Sequence, residues 1–164
     1  MPQISVLMKP SSGMCNMQCD YCFYCDETQK RIQKSYGFMS EQTLKNVIRR
    51  TMLQAEGAVS YAFQGGEPTL RGLDFFEKAV EYEKQYNKHG IQVSNALQTN
   101  GYLLDEAWCE FLQRNHFLVG LSVDGIKETH DAYRHSKNGE PTFDRACRAA
   151  KQMDAYGVEY NILT

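Results

Sequence analysis

Four of the six cysteines fall within eleven residues, in the run Cys15-Asn-Met-Gln-Cys19-Asp-Tyr-Cys22-Phe-Tyr-Cys25. Thiolates are soft ligands, and a crowded set of them points to metal or redox chemistry. A disulfide scaffold would instead spread its cysteines along the chain. Three arrangements compete. A structural zinc site would use all four thiolates, although such sites usually pair two separated knuckles. A thioredoxin-like pair would need one CxxC opening a helix, which overlapping pairs suit poorly. In the third, Cys15, Cys19 and Cys22 hold a cubane of four irons and leave one iron open, the mark of a catalytic rather than a closed site. Cys25 then reads as an uninvolved loop thiol.

A second polar run, Gln64-Gly65-Gly66-Glu67-Pro68-Thr69, follows an apolar segment. Paired glycines let a neighbouring group approach bare backbone, and a carboxylate follows at once. Gln98-Thr99-Asn100-Gly101 and Ser122-Val123-Asp124-Gly125 also close apolar runs. Taken alone, Asn100-Gly101 and Asp124-Gly125 read as ordinary tight turns.

The elements that position these runs alternate. Strands are expected at 4–9, 59–64, 93–99, 118–124 and 158–163. Helices are expected at 41–55 with Ser40 as N-cap, at 74–89 with Asp74 and Glu77 as a capping box and Gly90 as its stop, at 105–113, and at 143–156 between Thr142 and Gly157. Strand–helix–strand repetition implies right-handed crossovers and a parallel sheet, whose carboxyl edge carries every polar run. A complete eight-fold barrel needs ~250 residues, so the expectation is a chain that stops after about the fifth strand.

Cys15-x3-Cys19-x2-Cys22, with Tyr21 before the last cysteine, resembles the signature of the radical S-adenosylmethionine (radical SAM) superfamily, and Gly65-Gly66-Glu67-Pro68 resembles its methionine-binding motif. Lys34-Ser-Tyr-Gly-Phe-Met39, Ala62–Thr69, Leu97–Gly101 and Phe117–Ser122 are similar to the N-terminal half of the anaerobic sulfatase-maturating enzymes.

That resemblance implies an α/β fold, a partial (β/α)6 TIM-like barrel, with residues 1–164 forming the N-terminal part of the core domain. A C-terminal domain with auxiliary clusters would lie outside the chain. It also implies a 4Fe-4S cluster on Cys15, Cys19 and Cys22 whose open iron takes S-adenosylmethionine. Gly65, Gly66 and Glu67 would accept from the methionine ammonium, Ser122 and Arg134 would hold the carboxylate and ribose end, and Tyr21 would lie near the adenine. Gln64 and Asn100 would face a peptide substrate or else satisfy loop backbone. The implied reaction oxidises a cysteine or serine of a sulfatase polypeptide to Cα-formylglycine through a 5′-deoxyadenosyl radical. Its electron donor would be a flavodoxin or ferredoxin, and its general base would lie outside this chain. Another radical SAM peptide modifier, such as a thioether-forming enzyme, and a non-catalytic zinc-stabilised module are the alternatives.

The remaining features narrow the class. The 164 residues carry a net charge of −2, so no global field recruits nucleic acid. No apolar run reaches the ~20 residues of a membrane span. The N-terminal residues lack a basic leader, which implies a cytoplasmic protein. His89, His116, His130 and His135 show no metal-ligand spacing and read as surface or capping residues. Cys109 and Cys147 read as small buried side chains in helices.

Overall fold

The computed structural model describes residues 3–164, except for the side chains at 25, 26, 28 and 29. The expectation for the Cys25 thiol therefore falls outside the described residues. In order, the elements are β1 (Ile4–Met8), β2 (Met17–Cys19), α1 (Phe23–Lys30), α2 (Glu41–Gln54), β3 (Ala58–Phe63) and a 3-10 turn (Pro68–Arg71). Next come α3 (Leu73–Tyr86), β4 (Gln92–Thr99), α4 (Glu106–Arg114), β5 (Phe117–Ser122) and α5 (Lys127–Tyr133). The last three are β6 (Arg134–Ser136), α6 (Phe143–Tyr156) and β7 (Tyr160–Leu163).

Five strands form one parallel sheet in the order β1-β3-β4-β5-β7, with β1 and β7 at its edges and no closure into a barrel among the described residues. Period-two alternation sends Tyr61, Phe63, Leu97, Phe117, Val119 and Leu121 to one face, where they are buried beneath the helices. Leu44, Ile48 and Met52 of α2, Phe75 and Phe76 of α3, Trp108 and Leu112 of α4, and Met153 of α6 complete that core. Phe76 joins the layers, its ring 5.0 Å from Phe63 and 5.1 Å from Trp108. Each such fully buried side chain contributes roughly 1.5–3 kcal/mol.

The other face carries small and polar residues. Gln98 Nε2 donates to Ser122 Oγ at 3.0 Å, and the Gln98 amide oxygen occupies the space that a Cβ on Gly120 would need. Ala62, Gln64, Gln98, Gly120, Asn161 and Leu163 line a hollow of about 190 Å³ there.

Helices α2 and α4 depart from the sequence expectation by one residue, at the end of α2 and at both ends of α4, whereas α3 departs at both ends for identifiable reasons. Helix α3 begins one residue earlier, at Leu73, capped by Gly72 at φ 87 with no side-chain bond, so Asp74 sits inside the first turn instead of capping it. The same helix ends at Tyr86 because Asn87 closes its own loop: its Nδ2 donates to Ile91 O at 2.8 Å, and its Oδ1 accepts from Ile91 N at 2.9 Å. Gly90 therefore lies past the stop. Ser40 caps α2 as expected, accepting from Thr43 N at 3.1 Å.

A two-stranded antiparallel ribbon, β2 with β6, lies apart from the main sheet and pairs Cys19 with Arg134. It clips the cysteine loop to the segment after β5. No helix among the described residues is long and apolar enough to cross a membrane.

Candidate active site

The cysteine loop leaves β1 at the carboxyl edge of the sheet and is fastened there by residues far away in sequence. Glu67 N donates to Met14 O at 2.8 Å, directly before Cys15. Gly66 approaches the same peptide so closely that a Cβ would fall on the Met14 carbonyl, and its φ of +55 also favours glycine. The two sequence motifs therefore interlock through backbone. Asn100 Nδ2 donates to Asn16 Oδ1 at 2.9 Å and points at Cys15 Sγ, 3.7 Å away. Tyr21 donates its hydroxyl to Asp124 Oδ2. Asp20 N donates to Tyr133 O at 3.0 Å, and its carboxylate meets His135 Nε2 at 3.0 Å.

The three thiols are half-buried. Burial pushes the Cys15 pKa up to about 12, opposed by the Met17 N–H that donates to its sulfur at 3.4 Å. Burial also raises the Cys19 pKa, and the Arg134 guanidinium opposes it. Both counter-effects favour negative sulfur, as a metal-bound thiolate requires.

Among the described residues, no three His, Cys, Asp or Glu side chains converge as ligands of a single metal ion. Three thiols within eight residues are the soft donor set that iron–sulfur clusters take. Asn16 Nδ2 is buried beside Cys15 without a partner, a donor that a sulfide-rich group would satisfy.

Glu67 is 1% exposed, and four donors fill its carboxylate. Oε1 accepts from Thr69 N at 3.0 Å, Thr69 Oγ1 at 2.7 Å and Thr99 Oγ1 at 2.8 Å, and Oε2 accepts from Asn100 N at 2.8 Å. Burial raises its pKa and these donors oppose that rise. Because every partner donates, the arrangement fits the anion. The carboxylate thus ties the glycine loop to the end of β4, directly beside the Gly65 and Gly66 backbone.

Arg134 is only 13% exposed in its side chain, not a solvated surface arginine; its Nε lies 2.9 Å from Asp124 Oδ1 without hydrogen-bond alignment. Its guanidinium covers the Tyr21 ring at 5.2 Å. Asp20, Tyr21, Asp124, Thr129 and Tyr133 line an open hollow of about 700 Å³ beside it. A hollow of about 780 Å³, lined by residues including Ile4, Leu53, Ala55 and Ile91, carries no thiol and lies away from this corner.

The structure thus brings Cys15, Cys19, Cys22, Tyr21, Gly65, Gly66, Glu67, Asn100 and Arg134 to one corner. Ser122 is instead held by Gln98 on the inner face of the sheet, and Gln64 Nε2 donates to Tyr24 OH there at 2.9 Å. The Asn100 side chain bonds the loops on both sides of it, donating to Asn16 Oδ1 and accepting from Tyr102 N at 3.0 Å.

Sequence reasoning missed Asp124, read as a turn residue, and His130, read as surface or capping. His130 is 1% exposed. The available signal for Asp124 was its place two residues beyond Ser122, at the same strand end.

The chain matches the family model of the radical SAM superfamily over residues 10–164. It is 48% identical over 163 residues to the cysteine-type anaerobic sulfatase-maturating enzyme of Clostridium perfringens, covering 99% of this chain and 44% of that protein. It is 36% identical over 159 residues to the serine-type anaerobic sulfatase-maturating enzyme of Bacteroides thetaiotaomicron, covering 96% of this chain and 38% of that one. A solved structure described as native anSMEcpe with bound AdoMet and Cp18Cys peptide superposes with a TM-score of 0.92 at 47% identity, covering 98% of this chain and 42% of that one. The chain therefore spans less than half the length of these relatives.

Proposed function

Because the chain belongs to the radical SAM superfamily, we propose that it is the cluster- and cofactor-binding part of an enzyme that converts a cysteine of a sulfatase polypeptide to Cα-formylglycine. The observation that carries this reading is the interlock of the cysteine and glycine loops through Met14, Gly66 and Glu67. It holds two otherwise independent motifs at one sheet edge.

When bound, a 4Fe-4S cluster with S-adenosylmethionine supplies a 5′-deoxyadenosyl radical able to take a hydrogen from a β-carbon. Cys15, Cys19 and Cys22 would hold that cluster. The Gly65 and Gly66 carbonyls would accept from the methionine ammonium. Arg134, steadied by Asp124, suits a carboxylate or ribose because a guanidinium offers several donors in one plane. Tyr21 and Tyr133 would wall the nucleoside. Gln64 and Ser122, on the inner face, would lie nearer the peptide and the cofactor's ribose respectively. The higher identity to the cysteine-type relative supports cysteine over serine as the target. A flavodoxin or ferredoxin would deliver electrons in the cytoplasm, and the general base would come from outside these residues.

Anaerobic reconstitution with iron and sulfide, followed by electron paramagnetic resonance of the reduced chain, tests this. The expected result is a cubane signal that changes on adding S-adenosylmethionine, is lost in Cys22→Ala and survives in Cys25→Ala. Zinc binding alone, or a cluster that needs Cys25 and ignores the cofactor, would overturn the reading.

A further inference from the structure

We propose that His130 is a positioning residue, a neutral imidazole locked in its Nε2–H tautomer that fixes the backbone of both Asp124 and Arg134. The ring is buried and bonded at both nitrogens. Nδ1 accepts from Asp124 N at 3.3 Å, so that nitrogen carries no proton. At the other end Nε2 lies 3.1 Å from Thr142 Oγ1, whose own single proton is committed to Arg134 O at 2.7 Å. Thr142 Oγ1 can then only accept from the ring, so Nε2 bears the proton. The two ends demand the same tautomer independently.

The consequence lies in what the two bonds hold. One fixes the amide of Asp124, and the other reaches the carbonyl of Arg134 through a single hydroxyl. Those are the two members of the ion contact that covers Tyr21. Thr142 is itself fixed, because Asp131 Oδ1 accepts from Thr142 N at 2.9 Å and from Phe143 N at 2.8 Å. The Phe143 ring stands edge-on to the imidazole at 5.5 Å.

A second proton on the ring would set an Nδ1–H against the Asp124 N–H, two donors facing each other. Burial and the Arg134 charge lower the pKa of His130, while Asp124 and Asp131 act in the opposite sense. Acid therefore displaces Asp124, and with it the guanidinium. The inference rests on the cofactor reading of this corner only for its functional consequence; the tautomer is a property of the chain alone.

The test has two arms. Imidazole nitrogen resonances of histidine-labelled chain report the tautomer between pH 8 and 5. Calorimetry on the reconstituted chain reports S-adenosylmethionine affinity for wild type, His130→Asn and His130→Gln. Asn places an acceptor near the position of Nδ1, whereas Gln places a donor near Nε2 and leaves the Asp124 amide unpaired.

The expected results are bare Nδ1 and protonated Nε2 in wild type, affinity within about threefold for His130→Asn and a roughly tenfold loss for His130→Gln. Wild-type affinity should fall with the titration of this ring, and that fall should be absent in His130→Asn. An Nδ1–H tautomer, ring titration with no change in affinity, or two variants that both bind like wild type would overturn the proposal. Should both variants fail to fold, the wild-type tautomer and its pH dependence decide. A wild-type chain with the expected tautomer that binds no S-adenosylmethionine would overturn the cofactor reading and leave the locked ring standing.

Discussion

Glu67 and Glu83 are both buried carboxyl groups, and both bond to the same face of β4, yet the protein treats them oppositely. At the carboxyl end of that strand Thr99 joins three other donors on Glu67, and all four of these partners donate. Nearer the amino end, Asn95 Nδ2 is the donor to Glu83 Oε2, at 2.9 Å. Glu83 Oε1 and Asn95 Oδ1 are both buried without partners. A proton on the carboxyl removes a buried charge that only one donor supports. Burial accordingly pushes the Glu83 pKa up to about 7. The number and kind of partners, rather than burial alone, decide whether a buried glutamate is held as anion or acid.

The largest expected effect breaks the donor-rich end. Glu67→Ala leaves two backbone N–H groups and two hydroxyls without their acceptor and should cost about 4 kcal/mol of unfolding free energy in urea titrations. A loss below about 1 kcal/mol would mean water replaces the carboxylate freely, and the contrast would collapse.

At the other end the sign reverses. The folded chain keeps a proton on Glu83 that the unfolded chain has already lost, so its contribution falls as pH rises from about 4.5 to about 7. The total loss is about 3 kcal/mol and is complete above the folded pKa. Glu83→Gln is neutral at any pH and keeps an acceptor for Asn95 Nδ2. Denaturation at pH 5 and pH 8 should show that variant free of this loss and more stable than wild type at pH 8. A variant that keeps the same slope would place the titration elsewhere.

The smallest effect refines the first. Thr99→Val preserves shape while removing one of the four donors to Glu67, along with the acceptor that Gly101 N uses at 3.1 Å. The expected cost is about 1–2 kcal/mol with no change in pH slope. A cost matching that of Glu67→Ala would show that Thr99 alone carries the network.

How much of this was legible in the residues depended on range. Leu44, Ile48 and Met52 recur at helical spacing and do face the core, because burial on one side of a long helix leaves a periodic trace. Helices α1 and α5, at 8 and 7 residues, leave too short a trace, and the three-residue strands β2 and β6 leave none. The cysteines and glycines announced themselves by type and spacing. The roles of Asp124 and His130 did not, since each depends on partners set by tertiary contact. Glu67 was legible as important, but its four donors were not, because they come from two segments about thirty residues apart.

The fastening of the cysteine loop has a kinetic consequence. Its bonds to Asn100, Asp124 and His135 span 84, 103 and 115 residues of chain. Closing such long intervals is slow, and they cannot form until β4, β5 and the turn into β6 are in place. The thiols therefore reach their seats late, after the sheet that receives them. Freshly synthesised chain accordingly presents Cys15, Cys19 and Cys22 on a loosely held arm, and hydrogen exchange should find that arm among the first segments to reopen.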